Sequence, residues 1–358
     1  MAGIFVVAKK EFFDHVMGKK FLVILAILMI ISFLAMHQGV ESYNKQLDSY
    51  KEQTAEIEEH TEGMSPGWMP EKPSILFVFQ MMSMLFGILG AILAIAIGFN
   101  LISGEKESGS LKSLLSHPVF RDTIINGKAL GGMGALGFAM LIMTLLSIGI
   151  LMMLGIMPTW DEFVRILVFM GFSLLFMFSF FAIALMCSTI AKNSTRAITY
   201  TLVIFIVISF VMPIAGTFVG MQLAGDMPEF RGMARQEINE SEDISKEEQI
   251  EEQERIREEW QEEFQEYWEK VMGVQEMFSI ADPKSNFEKV SSAVLNPGFQ
   301  SSTVSFGSSS TTMITGSRAE TSILEALGMV WKNLLVLLVF PVIMFAIAYV
   351  KFMRMDIR

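Results

Sequence analysis

Six long apolar segments constrain the fold of this chain more than any other feature. A helix needs about 20 apolar residues to cross a hydrocarbon core of about 30 Å, and in lipid only helices and closed barrels satisfy the hydrogen bonds of the backbone. The segments lie at 21–36, 75–101, 129–157, 163–190, 197–223 and 327–350. The chain is 52% apolar and only 18% charged. We therefore predict an all-α integral membrane protein with six transmembrane helices.

The distribution of basic residues predicts which connections face the cytoplasm, because Lys and Arg accumulate in cytoplasmic loops. The net positive segments are 1–20, 102–128 and 351–358. Alternate segments are acidic: 37–74 has eight acidic and three basic residues, and 224–326 has 22 and nine. We predict a multi-pass protein of the cell (cytoplasmic or plasma) membrane with both termini cytoplasmic. An amphipathic helix would precede the first span, and both acidic segments would be extracytoplasmic and helical.

The longer acidic segment, 224–326, contains a predicted helix with one apolar stripe. The stripe residues recur every three or four positions, which is the period of a helix face; they are Ile256, Trp260, Phe264, Tyr267, Val271, Val274 and Phe278. Two interpretations stay open: the stripe rests on its own subunit, or it docks a partner. From Ala281 to Ser317 the sequence shifts to Ser, Thr, Gly and Pro. This composition predicts a linker that returns the chain to the membrane.

The sequence lacks the residues of several kinds of chemistry. It contains no H-E-x-x-H metal motif and no G-x-x-x-x-G-K-[ST] phosphate-binding loop. Its single cysteine, Cys187, excludes a disulfide framework. The only charged residues within the spans are Arg165 and Lys332, near span ends where snorkelling to the interface suffices. We predict a protein that is not an enzyme and holds no metal or cofactor. The net charge of −11 also argues against a nucleic-acid partner.

The predicted cytoplasmic connection 102–128 is the most informative part of the sequence. Its residues are ISGEKESGSLKSLLSHPVFRDTIINGK. A small turn at Ser108-Gly109-Ser110 precedes a short predicted helix that Pro118 ends. Leu111, Leu114 and Leu115 give that helix an apolar face outside the hydrocarbon. Such a face is covered either by the membrane interface or by a groove of a cytoplasmic partner.

The same connection resembles a known family. The run GEKESGSLKSLLSHPVFR, followed by IINGK, is similar to the segment between the second and third spans of ABC-2 type transporter permeases. Within them it is similar to the subgroup of nitrous-oxide-reductase maturation (copper-processing) and gliding-motility permeases. The start of the chain, AKKEFFDHVMGKKF, also resembles the N-terminal elbow helix of that subgroup.

The resemblance implies that 102–128 is a coupling helix resting on a separate ATPase subunit, which would hold the ATP and Mg²⁺. It implies roles for three groups of residues. Those at the ATPase interface would be Glu105, Lys106 and Glu107, those of the docking face Leu111, Leu114 and Leu115, and those anchoring the third span Arg121 and Lys128. Lys192 and Arg196 would make a second contact with the ATPase.

Two functions follow as hypotheses. The first is the membrane subunit of an ATP-driven exporter, in which two copies, surrounded by lipid, form the translocation pathway. The alternative is a membrane scaffold or receptor that transports nothing and docks a partner through the acidic outer helix.

Gly131, Gly134 and Gly137 form a small-residue face on the third span that allows close helix packing. That face fits a contact within the chain or a dimer seam.

Overall fold

The computed structural model describes residues 2–60, 73–111, 120–228, 246–296 and 322–355. These residues form helices and short connections without any strand. In chain order the helices are α1 (Ala2–Val16), α2 (Lys19–His60), α3 (Leu76–Gly98), α4 (Ser103–Glu107), α5 (Arg121–Met153), α6 (Trp160–Ile190), α7 (Ser194–Ile206), α8 (Met212–Ala224), α9 (Lys246–Ser279), α10 (Pro283–Leu295), α11 (Ile323–Met329) and α12 (Trp331–Met353). A π-helical segment, Val207–Val211, joins α7 to α8.

Six helical stretches in the described part of the chain are long and apolar enough to cross a membrane. They are Lys19–Ala55, Leu76–Ser108, Arg121–Met153, Trp160–Ile190, Ser194–Ala224 and Trp331–Met353. The all-α prediction and the number of spans are therefore confirmed. Most of the helices are longer than the apolar segments, because good helix formers continue them past the hydrocarbon.

The chain divides into two compact units. Of the described residues, one unit contains 2–60, 73–111, 120–205, 282–296 and 322–355, and the other contains 206–228 and 246–281. In the first unit the core lies around α3 and α6, where Phe79, Phe169, Phe176 and Phe180 are fully buried. This unit also holds all the residues of the candidate site described below.

Helix α1 packs on α5 through glycines of the predicted small-residue face. A Cβ added at Gly131 would lie 2.5 Å from the Cβ of Glu11, and one added at Gly134 would lie 3.2 Å from the ring of Phe12. Only glycine permits so close an approach at Gly131. At these two positions the face serves packing within the chain, whereas a Cβ at Gly137 would meet no atom within 4 Å. That α1 acts as an elbow helix stays a prediction.

The prediction of a linker after Ala281 is wrong for Pro283–Leu295, which forms the buried helix α10. The Asp282 side chain accepts hydrogen bonds from the backbone N–H groups of Lys284 and Ser285, so it caps the helix. Phe287 and Val290 are fully buried on one face of α10. The cap and the three-residue apolar spacing outweigh the Ser-rich composition.

The prediction that Arg165 snorkels is also wrong. Its side chain is 2% exposed, and its Nε lies 2.6 Å from Oδ2 of Asp161. Its Nη1 donates a hydrogen bond of 3.2 Å to the carbonyl oxygen of Val294, at the end of α10. Arg165 therefore helps to hold α10 against α6.

In the second unit the apolar stripe of α9 packs along α8. A Cβ added at Gly220 would lie 2.7 Å from the carbonyl oxygen of Val271, and one added at Gly216 would lie 2.9 Å from Cβ of Phe278. Tyr267 and Val271 are buried, and the other predicted stripe residues are partly buried. The stripe therefore contacts its own subunit. Trp260 Nε1 also donates a hydrogen bond of 3.1 Å to the carbonyl oxygen of Pro228.

Candidate functional site

The candidate site lies at the predicted cytoplasmic end of the bundle, where α3 ends and the connection 102–128 begins. The hydroxyl oxygen of Ser188, near the end of α6, accepts hydrogen bonds from the backbone N–H groups of Ile102 (3.0 Å) and Ser103 (2.9 Å). Both N–H groups belong to the start of the short helix α4, where the backbone has no helical partner. These bonds fix the start of the connection to the end of α6.

Glu105 takes part in a buried ion cluster. Its Oε1 lies 2.7 Å from Nζ of Lys128 on α5, and Oε1 of Glu11 on α1 lies 2.7 Å from the same Nζ. The side chains of Lys128, Glu11 and Glu105 are 3%, 10% and 21% exposed. One ammonium group thus holds two carboxylates, and the cluster ties α4 to both α1 and α5. Because buried charges are costly to separate, these elements are strongly linked.

Lys106 binds the last carbonyl groups of α6. Its Nζ donates to the carbonyl oxygens of Thr189 (2.6 Å) and Ala191 (2.9 Å), where α6 ends. The last carbonyl groups of a helix lack helical partners and carry the negative end of the helix dipole. The Lys106 ammonium group donates hydrogen bonds to these carbonyl groups and places a positive charge at the negative end of the dipole.

Glu107 makes the complementary contact with the next helix. Its Oε2 accepts a hydrogen bond of 3.0 Å from the backbone N–H of Ser194, the first residue of α7. The positive end of the α7 dipole lies there, so the carboxylate acts as a cap supplied from a distant part of the chain. Three consecutive residues, Glu105 to Glu107, therefore contact α5, α6 and α7 in turn.

Arg121 ties the far end of the connection to the last span. Its Nη1 donates hydrogen bonds to the carbonyl oxygens of Met355 (2.8 Å) and Met353 (3.3 Å), at the end of α12. The described residues of the connection 102–128 thus contact the ends of α1, α6, α7 and α12, besides α5, whose first eight residues belong to the connection.

The ion cluster has a histidine neighbour. Burial lowers the pKa of His15 below its ordinary value of 6.5, against the opposing effect of the nearby Glu11 carboxylate. Lys128 lowers this pKa further, and Asp14 raises it. His15 Nε2 is buried and makes no hydrogen bond within the part of the chain that the structure describes. The folded chain therefore favours the neutral imidazole.

The other predicted contact residues have different surroundings. Leu111 is 2% exposed and belongs to the core, so its side chain is not on the surface as a docking face requires. Leu114 and Leu115 lie outside the described residues. Lys192 and Arg196 are exposed at the start of α7. The charged atoms of Glu105, Lys106 and Glu107 contact helices of their own chain, so any role in binding an ATPase stays a prediction.

Sequence reasoning missed Glu11 and Ser188 as members of the site. Glu11 lies 117 residues from Lys128, and nothing in the pattern of either segment indicates their contact. Ser188 resembles any other small residue in a long apolar segment. Charge balance is the only signal for Glu11, since it is one of two acidic residues in a basic N-terminal segment.

Six apolar helices, with charged residues that join their ends, define a polytopic helical membrane protein. The family model of the ABC-2 family transporter proteins matches residues 5–357, and the chain belongs to this family. It is therefore a membrane component of an ABC transporter rather than its catalytic subunit. No curated protein is significantly similar to the chain.

Proposed function

We propose that this chain is the membrane subunit of an ATP-driven exporter. Two copies form the translocation pathway, and a separate ATPase subunit that holds ATP and Mg²⁺ docks on the connection 102–128 at the cytoplasmic end. Both termini lie in the cytoplasm. The export direction rests on the resemblance of the loop sequence, and the family match does not support the narrower subgroup.

The observation that carries the proposal is the set of contacts made by this connection. Glu105 reaches α5 and, through Lys128, α1; Lys106 reaches α6; Glu107 reaches α7. Arg121 adds the end of α12. A displacement of the connection by a docked subunit would therefore move the ends of five helices together. This is the arrangement that coupling requires, because the ATPase drives transport only if it binds two membrane states with different affinity.

The scaffold alternative receives less support. It needs a free apolar stripe on α9, whereas Tyr267 and Val271 are buried and Val271 packs directly against Gly220 of α8. The face of α9 that remains exposed is acidic, as expected of a solvated helix.

The test is co-purification from native membranes, with and without changes in the docking face. The tagged chain should recover an ATPase that contains a phosphate-binding loop, and the complex should hydrolyse ATP. Leu114→Asp combined with Leu115→Asp should abolish both. Ser49→Asp with Gln53→Asp is the matched control, because it adds the same charge at exposed polar positions of α2 in the segment predicted to lie on the outer side. Recovery of no ATPase while the chain stays intact would contradict the proposal.

A further inference from the structure

The start of α10 lies within the depth range of the membrane spans. Gly87, near the middle of α3, is 11 residues from Leu76, or about 16 Å along the helix. A Cβ added at Gly87 would lie 3.6 Å from Oε1 of Glu288 and 3.9 Å from Cε of Lys284. The ring of Phe287 stacks on that of Phe176 at 4.6 Å. Phe176 is itself 16 residues, or about 24 Å, from the first residue of α6.

Two charged side chains of α10 occupy this depth. Nζ of Lys284 lies 2.7 Å from Oε1 of Glu288, and the two side chains are 17% and 41% exposed. Asn286, between them, accepts a hydrogen bond of 2.8 Å from the side chain of Asn333 on α12. The apolar segments of the sequence contain none of the α10 residues, so charge at this depth could not be predicted from them.

Contact with lipid would be unfavourable for the exposed side of the Lys284–Glu288 pair. Charged residues at membrane depth face the interior of the protein or a water-filled cavity, since hydrocarbon solvates neither charge. The Glu288 side chain is too exposed to be enclosed by the interior of this single chain. The pairing with Lys284 lowers the cost, but a half-exposed carboxylate still needs water.

We propose that the side of the bundle where α10 meets Gly87 of α3 lines a water-filled opening, which descends about 16 Å from the outer end of α3. The Lys284–Glu288 pair is a polar contact for substrate in this opening. A pathway that keeps an ion pair hydrated at this depth carries substrates with polar or charged groups, not only apolar ones. Transport of a substrate through this opening rests on the proposed function, whereas hydration of the ion pair does not.

Cysteine accessibility tests this assignment. The chain has one cysteine, Cys187, which is 2% exposed, so Cys187→Ala gives a background free of thiols. Glu288→Cys is then exposed in membranes to a charged, membrane-impermeant methanethiosulfonate added from the outer side. The cysteine thiolate, which forms in water but not in hydrocarbon, attacks the sulfenyl sulfur of this reagent, forms a mixed disulfide and displaces methanesulfinate.

Ile30→Cys in α2 is the matched control at the same depth. A Cβ at Gly39 of α2 would lie 3.1 Å from Cα of Val78 of α3, so these two residues lie at the same depth. The two helices are antiparallel, and nine residues further inward from this contact lie Ile30 on α2 and Gly87 on α3. Ile30 is 61% exposed and apolar, as expected of a side chain facing lipid. Its thiol should therefore stay unreactive.

We expect Glu288→Cys to be modified at least about tenfold faster than Ile30→Cys. Equal rates at the two positions would overturn the assignment. Disulfide formation between two copies at Glu288→Cys, without modification by the reagent, would also overturn it, because the pair would then lie at a closed seam. In the complex with an ATPase, binding of ATP should change the rate at Glu288→Cys by at least about tenfold. Fast modification with no ATPase recovered would keep the hydrated opening and reject the transporter proposal.

Discussion

Removal of the Lys128 charge should destabilise the chain by leaving two buried carboxylates without their cation. Lys128→Met keeps most of the side-chain volume but removes the ammonium group that lies 2.7 Å from both Glu11 and Glu105. Breaking a buried ion pair by removing one partner costs about 3–5 kcal/mol. The 21% exposure of the Glu105 side chain places the expected loss at the lower end, about 3 kcal/mol.

Cys187 provides the assay for this loss. It is the only cysteine, is 2% exposed and lies on α6 close to the carbonyl groups that Lys106 binds. A dye that fluoresces on reaction with thiols therefore reports unfolding of the site as purified protein in detergent is heated. With an unfolding entropy of about 2.1 cal/mol/K per residue, we expect the unfolding midpoint of Lys128→Met to fall by about 4 °C.

Two further variants decide whether charge is the cause. Lys192→Met removes an exposed lysine from the same end of the bundle and should leave the midpoint unchanged. Lys128→Met combined with Glu11→Gln and Glu105→Gln should recover much of the loss, because no unpaired charge remains. If Lys128→Met melts like the native chain, or the triple variant melts no higher than Lys128→Met, the reasoning about the cluster is wrong.

Three other changes have defined outcomes. Because the pKa of His15 is lowered in the folded chain, the unfolded chain takes up the proton first as the pH decreases. The unfolding midpoint that the Cys187 dye reports should therefore fall as the pH decreases through about 6.5. His15→Gln should flatten this dependence on pH, and an unaltered slope would exclude His15 as its source. Gly220→Ala should push α9 away from α8 and speed tryptic cleavage at Lys270, whereas Gly137→Ala, with no neighbour within 4 Å, should not; equal cleavage in both would refute the close approach. Asp282→Ala should cost about 1 kcal/mol by removing the cap of α10, and a thermal midpoint equal to that of the native chain would argue against the cap.

The spans could be predicted from the sequence because their signal is local. A continuous apolar segment has one outcome in lipid whatever its neighbours are, so each of the six segments lies in a helical stretch long enough to cross a membrane. The motif of the connection 102–128 is also local, and it indicated the family that the match over residues 5–357 shows.

Helix α10 could not be predicted in the same way. Its composition is that of a connection, and its burial depends on Phe176 and Gly87, which lie far away in the sequence. Its start was nevertheless visible, since Asp282-Pro283 is a cap followed by proline at the first helical position. The two charges on α10 could be placed at membrane depth only after the helix itself was placed.

The contacts of Glu105, Lys106 and Glu107 illustrate the same limit. The resemblance implied three charges at a partner subunit, which stays a prediction, and the structure shows each charge bound to a different helix of its own chain. Charge pattern alone does not distinguish these outcomes, because the ends of α6 and α7 attract the same charges as a partner would.

A site-specific photo-crosslink tests the central claim most directly. A photoreactive residue at Ser110, exposed in the connection 102–128, should capture an ATPase subunit in native membranes. The same residue at Met153, which is 89% exposed at the opposite end of α5, should not. We predict that only the photoreactive residue at Ser110 gives a crosslinked product, and that this product contains a protein with a phosphate-binding loop. No such product from Ser110, or equal capture from both positions, would contradict the account.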